Sequence, residues 1–209
     1  MPHEMTVITL KQVRERENSD ATFAGAQARA DEATRRIKQH YPRMEALAGQ
    51  AAREGNVIRK IHIMRELVQY VVDSIGVVSG CSRQACSHCC NIPVLLTRIE
   101  AGVIAHENRI AITNPKKYNL EANDAYTGTP CPFLRDGSCS IYATRPLVCR
   151  LHYTMDADDL LCHLFPGESI RVPYFNQLDY HMIEVVALGV AQVRKVADIR
   201  EFFPRQQKR

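Results

Sequence analysis

The sequence predicts a mainly α-helical protein built around a central cysteine-rich metal-binding core that contains a short β-hairpin. Three observations carry this. Long stretches at both ends have helix-forming composition and helical spacing of apolar residues. All eight cysteines fall between residues 81 and 162. Within that span, Asp136-Gly137 sits between two short extended runs, the signature of a tight hairpin.

The chain is 209 residues long, enough for one domain with an appendage or two small ones, and its 45% apolar composition is that of an ordinary soluble protein. Its formal net charge of +4 is too mild to call by itself for nucleic acid as a partner, which needs a concentrated basic stripe. The first twenty residues, "MPHEMTVITLKQVRERENSD", lack the basic start and apolar centre of a secretory signal. The most apolar run, "LVQYVVDSIGVVSG", is interrupted by Asp73 and too short to span a bilayer. The expected setting is therefore the cytoplasm, with no membrane association. In that reducing setting clustered cysteines point to metal or redox chemistry before disulfides, although their even number keeps a disulfide framework open.

The elements follow in order. Residues 10 to 75 read as helix, split by Pro42 and jointed again at Gly55-Asn56. Ile58, Ile61, Leu67, Val68 and Val71 give the last of these segments an apolar face. Thr97 and Glu100 form a capping box that opens a helix immediately after the first cysteine group. The run "PCPFLRDGSCSIYATRPLVCRLHY" holds the hairpin and then, at Thr144 and Pro146, the start of another helix. From Val172 onward, "NQLDYHMIEVVALGVAQVRKVADIREFF" predicts a C-terminal helix closing over the cysteines, followed by the basic tail "PRQQKR". The expected organisation is an N-terminal helical region (1–78), a cysteine-cluster domain (79–168) and a C-terminal helix with its tail (169–209).

Cys86 and Cys89 have the two-residue separation of a metal knuckle, and Cys131, Cys139, Cys149 and Cys162 can complete a site. Cys90 is the unusual member. Adjacent side chains diverge on a strand or a helix, so Cys89 and Cys90 fit poorly on one tetrahedral ion and better on two centres or one polynuclear cluster. Eight thiols could build two four-cysteine zinc sites, or an iron–sulfur cluster with thiols to spare. Four thiolates on a divalent ion leave about −2 formal charge, which favours nearby cations. Arg145 and Arg150 bracket Cys149 and are the candidate cofactor-binding residues; Arg83, Arg98 and Arg135 read as surface arginines.

His88, inside the knuckle, and His152 and His163, flanking the later cysteines, are open as ligands or as ordinary hydrogen-bonded histidines. His62, His106 and His181 lie in helical patterns and read as structural. Asp156, Asp158 and Asp159 read as a solvated turn, with hard oxygen ligation as the alternative in a thiol-rich setting that favours softer metals.

"CSHCCNIPVLLTRIEAG" followed by "CPFLRDGSCSIYATRPLVCR" resembles the YkgJ-like CxxCxxCC family of zinc- or iron-chelating cysteine-cluster proteins. The resemblance implies a cluster of Cys86, Cys89, Cys90, Cys131, Cys139 and Cys149. Cys162 lies beyond the core motif as a further ligand. Cys81 departs from the pattern, because four residues separate it from Cys86 where the family name implies two. Two functions follow as expectations. One is an iron or iron–sulfur protein with oxidoreductase activity. The other is a zinc-stabilised module without catalysis, whose terminal helices meet a protein partner.

Overall fold

The computed structural model describes residues 7–82, 86–118, 124–175 and 196–204. It is mainly helical, with two small antiparallel strand pairs. The N-terminal helices are α1 (Leu10–Glu17), α2 (Asp20–Lys38), α3 (Tyr41–Arg53) and α4 (Val57–Ile75). Their joints have local causes. Thr9 and Gln12 form a capping box at the start of α1. Pro42 lies in the first turn of α3, where its missing N–H costs nothing, so the chain breaks before it. Asn56 caps α4 by accepting from the Arg59 N–H at 3.0 Å. Gly76, at φ 58°, ends α4 in the left-handed conformation that glycine tolerates best. The further break at Asn18-Ser19, between α1 and α2, lies inside the stretch read as helix.

Helix α4 is the hub. Ile61, Met64 and Val68 pack with Ala51 of α3, with Val103 of α5 (Arg98–Asn108) and with Leu147 of α6 (Leu147–Leu151). Ile75, at its far end, meets Ala26, Ala33 and Ile37 of α2 and Met155. Thr97 caps α5 as expected, accepting from the Glu100 N–H at 3.1 Å. The Glu100 carboxylate, expected to reach back to Thr97, accepts from the Leu147 N–H at 2.7 Å, so one side chain joins the starts of α5 and α6.

The hairpin forms as predicted. β2 (Leu134–Arg135) pairs with β3 (Ser138–Cys139), and Asp136 and Gly137 both take positive φ, 47° and 75°, as a two-residue type I′ turn demands. The C-terminal expectation needs correction. Val196–Asp198 is a strand, β4, paired antiparallel with β1 (Leu95–Thr97) and followed at once by the short helix α7 (Ile199–Phe202). All three residues of β4 are buried, and pairing with β1 satisfies backbone groups that water cannot reach. Residues 172–175 are not helical either: Tyr174 bridges Thr154, and Met155 N–H donates to the Pro173 carbonyl at 2.7 Å. The rest of the expected helix, with His181, and the basic tail from residue 205 lie outside the described residues. No described helix is long and apolar enough to cross a membrane.

Glu107 clamps α5 to α4, accepting from Arg65 at 2.7 and 2.8 Å and pairing with His62 at 2.5 Å. Burial alone would raise its carboxyl, but these partners outweigh burial and hold it below the ordinary carboxylate value. A depressed carboxyl contributes stability above its unfolded value and loses it as pH falls through the folded one. Glu107→Gln is expected to cost about 2 kcal/mol at neutral pH and to flatten the loss of stability below about pH 4.5, measured by urea unfolding across pH.

Candidate metal centre

All eight cysteines are free thiols. Cys81 lies in the turn Gly80–Ser82, Cys89 and Cys90 in the 3₁₀ turn His88–Asn91, Cys139 on β3, Cys149 in α6 and Cys162 in the turn Leu160–Cys162. A 3₁₀ turn fans successive side chains by roughly 120°, from three residues per turn. The doublet accordingly stands where two groups of sulfurs meet.

The first group is Cys90, Cys131, Cys139 and Cys149. Cys131 belongs to the apolar core around Leu96, Ile104, Phe133 and Phe202, and the other three pack against that core. Burial pushes the Cys131 thiol up to about 11, with Cys90 and Cys139 adding to the rise. Cys149 is driven well above the usual thiol range by burial, then by Cys131, Glu100, Cys90 and Cys139. Cys139 is raised by burial and by Cys90. Two backbone donors oppose these rises at identical spacing: Phe133 N–H points at the Cys131 sulfur and Ile141 N–H at the Cys139 sulfur. Such donors favour the thiolate that a metal requires.

The second group, Cys81, Cys86, Cys89 and Cys162, lines a cleft of about 1070 Å³ together with His88, His152, His163 and Tyr174. Burial raises Cys162 to about 12, helped by Cys81 and Cys86. Cys81 is raised by burial and by Cys86, against a hydrogen bond its sulfur accepts from the Thr154 N–H at 3.3 Å. The groups touch at the doublet, where the Cys89 thiol donates to the Cys90 sulfur. That bond, with burial, raises Cys89; it lowers Cys90 against burial, and Arg200 assists.

The histidines and aspartates separate. His152 stacks on Tyr174 with ring centroids 4.4 Å apart, and burial lowers it to about 4, so it is neutral at physiological pH. His88 lies 4.3 Å from the His163 ring, and its Nε2 is 3.3 Å from Asp159 Oδ2. Among the described residues one three-donor group converges: the donor atoms of Cys86, His88 and Asp159 all lie within 4.8 Å of one another. Asp156 has another task. It is 1% exposed and accepts from Arg16 at 2.8 Å, while Asp158 accepts from the Leu160 N–H.

Of the two arginines singled out by their flanking of Cys149, Arg145 stacks on Tyr142 at 3.7 Å and sits near enough to Cys139 to favour its thiolate. Arg150 turns toward α4, donating to Gln69 and to the carbonyls of Ala143 and Arg145. Arg98 and Arg135 are engaged locally, with Asn114 and the Leu134 carbonyl; Arg83 lies outside the described residues. The cation that holds the doublet is one the sequence did not single out. Arg200, buried in α7, pairs with both oxygens of Asp198 at 3.0 and 3.1 Å and donates to the carbonyls of Cys90, Ile92 and Thr129. Its trace in sequence is the acid–x–arginine pattern Asp198-Ile199-Arg200, inside a stretch read as helix.

Residues 80–172 match the family model CxxCxxCC, described as a putative zinc- or iron-chelating domain, a span of under half the chain. The segment that carries every cysteine therefore matches the model of the family its motifs resemble. No curated protein and no solved structure matches the chain.

Gly80 fixes one wall of the cleft. Its N–H donates to the Asp156 carbonyl at 3.0 Å, and a Cβ added there would lie 2.3 Å from the Asp158 carbonyl oxygen and 2.5 Å from its carbon. Backbone atoms cannot yield as a flexible side chain can. Gly80→Ala is expected to cost about 1–3 kcal/mol by overpacking and to displace the turn that carries Asp158 and Asp159, read as a lower urea midpoint together with reduced metal content.

Proposed function

We propose that the chain is a metal-chelating protein with two unlike centres: a closed one built from Cys90, Cys131, Cys139 and Cys149, and a cleft centre that draws on Cys86 and its neighbours. The observation that carries this reading is the division of the sulfurs. Four pack against an apolar core, four line a cleft, and the division falls between adjacent residues.

The closed set suits a role in folding. Four thiolates that pack against Leu96, Phe133 and Phe202 would by themselves complete a tetrahedral ion, the mark of a structural site. Either zinc or an iron–sulfur cluster can use four cysteines. The cleft set suits chemistry or exchange, since its donors border a space large enough for a small molecule. Iron at either centre would carry the redox activity anticipated from the surplus of thiols; zinc at both would leave a stapled binding module.

Metal and acid-labile sulfide measured on protein purified without oxygen, with Cys139→Ser and Cys86→Ser alongside, tests the proposal. Each variant is expected to lose the metal of its own centre and keep that of the other, with Cys139→Ser causing the larger fall in melting temperature. Loss of all metal in both variants would mean one shared cluster, and full retention in Cys86→Ser would remove the cleft centre.

A further inference from the structure

We infer that the cleft centre is a mixed-donor site for a single divalent transition ion, held by the sulfur of Cys86, a ring nitrogen of His88 and a carboxylate oxygen of Asp159, with a coordination position left open. The inference rests on the proposal that the cleft binds metal, and it replaces an all-thiol ligand set there with three chemically different donors.

Geometry comes first. An ion bound at about 2.0–2.3 Å from each donor holds its ligand atoms at most about twice that distance apart. The donors of Cys86, His88 and Asp159 come close to that limit, all lying within 4.8 Å of one another with His88 and Asp159 at 3.3 Å, so a small side-chain adjustment closes them on an ion. A plain histidine–carboxylate hydrogen bond would account for His88 and Asp159, 3.3 Å apart. It does not account for the Cys86 thiol, which reaches the same point. The His163 ring, 4.3 Å from that of His88 and tilted by 51°, packs beside the ligand ring and steadies it.

Charge points the same way. A thiolate, a carboxylate and a neutral imidazole leave a divalent ion formally neutral, whereas four thiolates leave about −2. The mixed site therefore needs no buried counter-cation. Sulfur and imidazole exclude magnesium and calcium as preferred occupants and favour zinc or ferrous iron. The surroundings supply access. Asp159 and His163 border a second cavity of about 590 Å³ beside α1, while Cys86, His88 and His163 border the main cleft. An ion there is approached from two sides. Three protein ligands with an open fourth position are the pattern of reactive or exchangeable sites, in contrast to the closed four-thiol set.

The test is anaerobic Co²⁺ titration of the full-length protein after EDTA has stripped the cleft and left the closed centre loaded. One equivalent is expected, with the weak sulfur-to-cobalt charge-transfer absorption of a single thiolate. His88→Gln and Asp159→Asn should each weaken Co²⁺ binding at least tenfold while retaining closed-centre metal, which reports that they are folded. Cys81→Ser and Cys162→Ser should bind Co²⁺ as the parent does. Charge-transfer absorption of four-thiolate strength, or unchanged Co²⁺ binding in both His88→Gln and Asp159→Asn, overturns the mixed-donor assignment. Unchanged total metal in Cys86→Ser instead overturns the cleft centre itself, so the two failures are told apart.

Discussion

The arrangement of the cysteines depends on one buried ion pair, Arg200 with Asp198. The cysteine segments have little regular structure, so many of their carbonyls cannot find partners in a helix or a sheet, and buried carbonyls without donors are costly. Arg200 supplies donors to three of them, on Cys90, Ile92 and Thr129, from a single planar group. Asp198 offsets the charge and also accepts from the Val94 N–H at 2.7 Å. The Cys90 carbonyl takes a further bond from the Cys131 N–H at 2.7 Å, so the doublet and the Cys-Pro segment are held in register from behind. A buried pair is not stabilising merely because it is a pair, since desolvation opposes it. Here the saturated hydrogen bonding makes it an organiser: it brings residues from 90, 129 and 200 to one place.

The N-terminal helices act on the other side, at the cleft wall. Helix α1 buries Val13 and meets the loop 156–171 through polar contacts: Arg14 with Glu168 at 2.6 Å, Arg16 with Asp156 at 2.8 Å, and Glu17 accepting from the Arg171 N–H at 2.6 Å. Exposed pairs of this kind contribute little each, but Asp156 is deeply buried and its carbonyl also receives Gly80. The contact therefore links α1 to the turn that carries Cys81 and, through Asp158 and Asp159, to Cys162 and the mixed-donor corner. The candidate donors are fixed by packing of the helical half and not by a self-contained loop.

What was legible in the sequence was what is local. Pro42, Asn56, Thr97 and Asp136-Gly137 act on residues within one turn, and each element starts or turns where they direct. What was not legible depends on distant partners. β1 and β4 are three residues each and about a hundred residues apart, so nothing in Val196–Asp198 distinguishes a strand from the helical spacing around it until Leu95–Thr97 is beside it. The aspartate run shows the same limit. Asp156, Asp158 and Asp159 look alike as a solvated turn, yet one is buried against Arg16, one caps a turn and one faces His88. The divergence of the doublet was readable, because it is a backbone property: Cys90 packs against the apolar core and Cys89 lines the cleft. Which thiol belongs to which centre was not, since that depends on packing.

The doublet's chemistry sets a limit on how the two centres divide it. The Cys89 thiol donates to the Cys90 sulfur. When Cys90 serves the closed centre as a thiolate, that hydrogen bond becomes charge-assisted and strengthens, which holds the proton on Cys89. A thiol so held is a poor ligand for an ion in the cleft. It is instead a donor to a ligated sulfur, in the same position as the Phe133 and Ile141 N–H groups toward Cys131 and Cys139. On the two-centre proposal, the adjacent cysteines would then contribute one ligand and one supporting donor to the closed centre. A cleft ion would then be left to the donors that converge elsewhere, Cys86, His88 and Asp159, and two neighbouring thiols would avoid the strain of sharing one tetrahedral ion.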